Sequence, residues 1–381
     1  MKHTGPSRAV VDLDAYRHNL ALARRFAGQP VDLIAVIKAD AYGHGAVPVA
    51  GAALRAGARM LGVATVEEGA ELRAAGVDAP VLVMVTPRAE ELPLAVRHRL
   101  TLMISDTGTA ARLGDLAREA GVVLKVHCKI DTGMGRQGFS VEEAPAALQM
   151  VARVANLDIE GVATHFAVSE LPDDPFTQGQ IKLFRQVLRE ADRLGVPYEF
   201  AHAANSGALL NHIDSLFDAI RPGLLTYGVW PGGETRNRHL LQPVLRWETE
   251  VVQVRALPAG ASIGYGRTRI LGAPARTAVL PVGYADGYRH SLSNNADVLI
   301  RGRRCPVVGS VCMDQIVVDV TALPEVREGD TAVLIGADGG EEITVSELAL
   351  RAGTIPYDIL TGIGRRVARE HRGGGGVEEE E

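Results

Sequence analysis

Cysteine is scarce in this chain. Cys128, Cys305 and Cys312 are the only three in 381 residues, odd in number and without a CxxC pair, which excludes a disulfide framework and a zinc knuckle. No metal site is expected. Long apolar runs are missing too: no stretch approaches the ~20 apolar residues of a membrane span, and the opening MKHTGPSRAVVDLD has no apolar signal-like core. The reading is a cytoplasmic protein with no membrane partner. Nor is there a basic stripe. Forty Lys and Arg against 46 Asp and Glu leave a formal charge of -6, so nucleic acid is not an expected partner.

What is present is an ordinary hydrophobic content of 46% in a chain long enough for one large domain and a second. From about Leu33 to Gly228, short apolar runs alternate with amphipathic Ala/Leu/Arg-rich stretches, the βαβα rhythm of a parallel sheet. The eight candidate strands are LIAVI, MLGVA, VLVMV, TLMIS, LKVHCKI, IEGVATH, YEFAHA and DAIRPG. Eight units predict an α/β fold with an eight-stranded TIM-type (β/α)8 barrel over residues 12–240, in which chemistry gathers at the C-terminal ends of the strands. A doubly wound sheet competes, but eight units exceed its usual count. From Pro243 onward valine-rich strand signals separated by Gly and Pro turns predict a β-rich C-terminal domain. It spans 241–372, takes in the strand within 1–11, and is closed by one helix near Val345 to Ala352. Residues 373–381, ending GGGGVEEEE, are expected to be a disordered tail.

Within AVIKADAYGHG, Ala35 to Gly45, Lys38 leaves an apolar strand at a partly desolvated place. A neutral amine is favoured there, and a Schiff base can form. Arg136, His165, Asn205, Ser206 and Arg221 follow other strands and could converge with it. Asn205-Ser206-Gly207 opening a helix and Arg221-Pro222-Gly223 after the eighth strand are places where backbone N–H groups bind anions; helix capping is the plain alternative for the first. DTGMGRQG, Asp131 to Gly138, lacks the GKS ending of a nucleotide loop.

The segments AVIKADAYGHG, VHCKIDTGMGRQG, GVATHFA, HAANSGA, IRPGLLTYG, GYGRT, PVGYADGY, VGSVCMDQIVVDV and IPYDILTGIGRRV, in this order, resemble alanine racemase, a pyridoxal 5'-phosphate (PLP) enzyme. The resemblance implies a cytoplasmic homodimer with an active site shared between subunits, acting on alanine and supplying D-alanine for peptidoglycan. It implies that Lys38 holds PLP as a Schiff base and is one catalytic base, and that Tyr265 is the other. His165 and Arg221 support them, with Arg221 donating to the pyridine nitrogen. Tyr42, Asn205, Ser206, Gly223 and Tyr357 would bind the cofactor. Arg136 and Met313 would bind the substrate carboxylate, and Lys129 matches a lysine that some members carbamylate. Glu170, Tyr284 and Arg289 would form the entrance. Two departures lie there: Ser310 and His290 stand where the family often has arginine, and Arg289 is placed to compensate. A racemase of another amino acid, such as serine, would share nearly all these residues. A non-catalytic PLP carrier would lack the β-rich domain and Tyr265, and a decarboxylase would use an acidic partner where Arg221 stands.

Overall fold

Eight apolar runs form a closed parallel barrel: Asp32–Val36, Met60–Val63, Val81–Val83, Thr101–Ile104, Leu124–Asp131, Leu157–Ala163, Phe200–His202 and Ala219–Ile220. Each pairs with the next, Leu102 with Val126 joins the fourth to the fifth, and Ala219 with Asp32 joins the last to the first. Parallel strands covered on both sides read as continuous apolar runs rather than alternating ones, which is why they stand out in the sequence. Ile34, Met60, Leu82, Met103, Ala163, Phe200 and Ala219 form one buried cluster. Each comes from a different barrel strand, as layered packing requires. The fifth strand, Leu124–Asp131, contributes none of them; its buried polar residues are His127 and Lys129.

The helices between strands follow their apolar spacing. Pro175–Arg193 begins at Asp174, whose carboxylate accepts from Phe176 N–H at 2.8 Å, and buries Ile181, Phe184, Val187, Leu188 and Ala191, one face of a 3.6-residue repeat. This computed structural model describes residues 5–232 and 238–374. Residues 375–381 of the expected disordered tail, and residues 1–4, lie outside the described residues. Of the tail, Gly374 N–H donates to Asp14 at 3.2 Å.

The barrel strands belong to a unit of residues 16–41 and 46–242; residues 1–15, 42–45 and 243–381 form a second, β-rich unit. Its main sheet runs in the spatial order Arg303–Pro306, Asp297–Ile300, Thr331–Asp338, Leu245–Glu250, Arg8–Asp12, Ala368–Arg372. Arg8–Asp12 pairs antiparallel with Leu245–Glu250 and parallel with Ala368–Arg372. A three-stranded antiparallel sheet joins Gln253–Leu257, Ala275–Leu280 and Ile316–Asp319. Where the sequence predicts one closing helix there are two, Val345–Ala352 and Pro356–Gly362. Gly353, left-handed at φ 68°, ends the first. Pro356 starts the second, because proline fits the first helical turn where no N–H is required.

Candidate active site

The first barrel strand delivers Lys38, and the chain then turns the rare way. Ile37 N–H donates to Gly62 O at 2.8 Å, and Ala39, Asp40, Ala41 and Tyr42 follow with φ of 52–53°. This left-handed turn, spanning Lys38–Gly43, costs L-residues roughly 1–2 kcal/mol each. Glu68 holds it at one end, accepting from Ala39 N–H at 2.8 Å and Ala64 N–H at 2.6 Å; Asp40 accepts from Ala46 N–H at 2.7 Å at the other. Gly43 has φ 80°, and a Cβ there would meet Leu360 O at 2.5 Å, so no side chain fits. Strain of this kind gathers where function fixes a geometry.

Around Lys38 the barrel gathers cations. Burial lowers its ammonium below the ordinary range, with Arg136 and Arg221 adding to the effect and Glu68 opposing it. Lys129, buried on the fifth strand, is lowered to about 7 by burial and then by Arg221 and Arg136. Asp131 shapes the following loop by accepting from Gly133, Met134, Gly135 and Arg136 N–H groups at 2.8–3.1 Å. Arg136 itself is exposed.

Arg221 is the buried centre. Nη1 donates to His202 Nδ1 at 2.5 Å, and Nη2 lies 2.8 Å from Thr164 O, 2.9 Å from Ala203 O and 3.3 Å from His165 Nδ1. Its Nε–H and second Nη1–H make no hydrogen bond to the described residues. Burial lowers the guanidinium to about 10, so it stays charged near neutrality. Burial, then Arg221, pushes His165 and His202 well below the usual histidine range.

Ser206 Oγ, also buried, accepts from Gly223 N–H at 2.9 Å and Leu225 N–H at 3.3 Å, which leaves its own proton to donate. Asn205 caps the same short helix, accepting from Ala208 N–H at 2.9 Å and from Ser169 Oγ at 2.8 Å. Glu170 follows Ser169, with its backbone against Gly207.

The β-rich unit carries a second group. The Tyr42 and Tyr357 rings lie 5.9 Å apart. Tyr265, Tyr284, His290, Ser310, Val311 and Cys312 line a cleft of about 530 Å³. Ser310 Oγ donates to Tyr265 O at 2.9 Å, and Met313 O accepts from Ala285 N–H at 3.0 Å. Arg289 has a carboxylate partner. It pairs with Asp358 at 2.5 Å. Among the described residues no His/Cys/Asp/Glu group is arranged for a metal, and no helix is long and apolar enough to cross a membrane.

The sequence reading passed over Glu68 and His202. A signal for the first was present in TVEE: Thr65 and Glu68 form a capping box, the S/T-x-x-E pattern of a helix start.

Residues 11–231 match the alanine racemase N-terminal domain and residues 244–371 the alanine racemase C-terminal domain. The chain belongs to the alanine racemase family. An alanine racemase of Symbiobacterium thermophilum is 46% identical over 370 residues, 97% of each chain. The solved alanine racemase from Streptomyces coelicolor A3(2) matches with a TM-score of 0.91 at 36% identity, over 96% of this chain and 98% of its own. That from Bartonella henselae, with covalently bound pyridoxal phosphate, matches at 0.87 and 28% identity, over 97% and 100%. As an alanine racemase family member the chain is an isomerase, and the expected barrel with a β-rich C-terminal domain is the family's architecture.

Histidine burial in this racemase-family barrel carries a stability consequence. Burial lowers both His127 and His202, so the folded chain holds them neutral while the unfolded chain takes up protons below about pH 6.5. Their contribution is complete above that value and is lost as pH falls through the depressed folded-state values, at up to about 2.7 kcal/mol per pH unit for the two. Urea unfolding midpoints are expected to drop on acidification below about pH 6.5; midpoints flat down to about pH 5 would contradict neutral burial.

Proposed function

We propose that this isomerase interconverts L- and D-alanine with PLP held by Lys38, and that it works as a homodimer. The observation that carries the reading is Arg221, a buried donor-only group whose Nε–H and second Nη1–H make no hydrogen bond to the described residues, beside a lysine whose charged form is disfavoured by burial. PLP, when bound, supplies an electron sink that acidifies the substrate Cα–H.

The chain's own residues then divide the work. Arg221 offers N–H donors to the cofactor's ring nitrogen, which must accept and stays unprotonated. Ser206 donates its hydroxyl proton toward the phosphate, in a pocket shaped by Asn205 and Gly223; Tyr42 and Tyr357 serve the same group. Arg136 presents a planar fork to the substrate carboxylate, with Met313 O–C–N backbone beside it. Lys38 and Tyr265 hold or take the Cα proton on opposite faces, and His165 links Arg221 to Tyr265. Tyr265 and Met313 are 77% and 52% exposed in one chain, which supports their being covered by, and serving, a partner's site. The cleft of Tyr265, Tyr284 and Ser310 would then be the entrance, with Glu170.

Burial lowers Lys129 to about 7, so a neutral amine is available near neutrality to attack carbon dioxide, forming a carbamate and releasing a proton. The new negative charge would orient Arg136. A carbamate carbon resonance in protein equilibrated with labelled bicarbonate is expected; none would leave Lys129 a plain amine.

The test of function is chiral chromatography of L-alanine, L-serine and L-lysine incubated with the PLP-supplemented protein. Alanine alone is expected to racemise rapidly. Faster conversion of serine would reassign the substrate, and bound PLP without any turnover would mean a carrier.

A further inference from the structure

Beneath Arg221 a chain of buried polar groups runs between strands. His202 Nε2 lies 2.7 Å from His127 Nδ1, His127 Nε2 lies 3.2 Å from Glu160 Oε2, and Glu160 Oε1 accepts from Lys125 Nζ at 2.7 Å. Both imidazoles are fully buried and Glu160 is 3% exposed. Gly161 makes room, since a Cβ there would meet His127 Nδ1 at 2.8 Å.

We infer that Glu160 is the remote counter-charge of Arg221, acting through His202 and His127, and so a positioning residue for the reaction. The inference rests on the reading that Arg221 faces the cofactor ring. Guanidinium only donates and carboxylate only accepts, so the chain is determined from both ends. His202 must accept at Nδ1 and carry its proton on Nε2; His127 must then accept at Nδ1 and donate from Nε2 to Glu160. A second proton on either ring would set donor against donor. Every dipole therefore points the same way, and each lone pair is made more basic by the next acceptor along. Among the described residues Arg221 touches no carboxylate: its partners are two carbonyls and two imidazole nitrogens. A carboxylate in direct contact would take two N–H groups of the fork at once, whereas the lone pair of His202 takes one Nη1–H and, with Nη2 held by Thr164, Ala203 and His165, the second Nη1–H and Nε–H are left for a ligand.

The charged groups facing the chain agree with this assignment. Arg221 and Lys129 face His202, and Arg221 and Arg59 face His127. Arg59 lies 4.4 Å over the Phe200 ring and pairs with Asp32 and Glu199; Lys125 also reaches Glu199, at 3.1 Å. Burial works against the Glu160 charge, yet hydrogen bonds from His127 and Lys125 hold its carboxyl at about 2.

Nitrogen-15 spectra of the PLP-loaded protein labelled at histidine decide the tautomers. His127 and His202 are expected to be neutral with the proton on Nε2 from about pH 6 to about pH 8; an Nδ1 proton or an imidazolium at either would overturn the chain. Glu160→Gln is expected to lower kcat roughly tenfold, the worth of one hydrogen bond to a charged group, with KM for alanine unchanged and the absorbance of bound cofactor displaced. Glu160→Asp should restore both. E160Q with unaltered kcat and absorbance would sink the proposal. Should E160Q fail to fold, His127→Gln, which keeps a donor and an acceptor but breaks the polarised chain, is read in the same way. Failure of the cofactor reading shows separately, as wild-type protein without the bound-cofactor absorbance, and leaves the tautomer result standing.

Discussion

Lys38→Ala is expected to abolish covalent cofactor binding and to reduce racemisation by at least about 10⁴-fold, since the covalent anchor and one proton-transferring base disappear together. The absorbance of PLP bound to the purified variant is the measurement. An unchanged covalent spectrum would move the attachment to another lysine, and Lys129 would be the first to examine. Loss of folding is not expected to confuse the result. The charged ammonium is disfavoured by burial and by Arg136 and Arg221, so removing it relieves repulsion, and the left-handed turn is held by backbone donors to Glu68 and Asp40 rather than by the lysine. Unfolding midpoints near neutrality should therefore stay at or above the wild-type value.

Tyr265→Phe is the second large effect. Comparing the two directions of racemisation cannot assign the bases, because mirror symmetry makes the equilibrium constant one and ties the two catalytic efficiencies together. Exchange of the Cα hydrogen with deuterated water separates them. If Tyr265 faces the L-side proton and Lys38 the D-side proton, the variant should exchange D-alanine at close to the wild-type rate. Exchange of L-alanine should fall by about 10²–10⁴-fold, the usual contribution of a positioned acid or base. Equal losses for both isomers would refute the assignment of faces. Phenylalanine removes only an exposed hydroxyl, and Ser310 holds the backbone of this turn at the carbonyl, so the fold should be unaffected.

The barrel was legible because its strands are short, apolar on both faces and evenly spaced, and because the polar residues that end them stand out against those runs. The second closing helix was not. Ile355-Pro356 looks like a turn until the left-handed Gly353 is known to end the helix before it. The turn after Lys38 was also hidden: Ala, Asp, Ala and Tyr carry no signal for positive φ, and the conformation is imposed by Glu68, supplied from the helix after the next strand. His202 sat inside a segment quoted for its Asn205 and Ser206 and was overlooked. Its meaning depends on three other strands, and no local spacing encodes that.

The place of Arg8–Asp12, between Leu245–Glu250 and Ala368–Arg372, bears on how the protein is made. A ribosome adds about 5–20 residues per second. This early strand therefore waits for tens of seconds with both edges unpaired while the barrel residues emerge, and its second neighbour arrives only with the closing residues of the sheet. Its buried Ala9, Val10 and Val11 are an apolar edge exposed during that interval, so this strand is where the newborn chain is open to mispairing, or to capture by a chaperone.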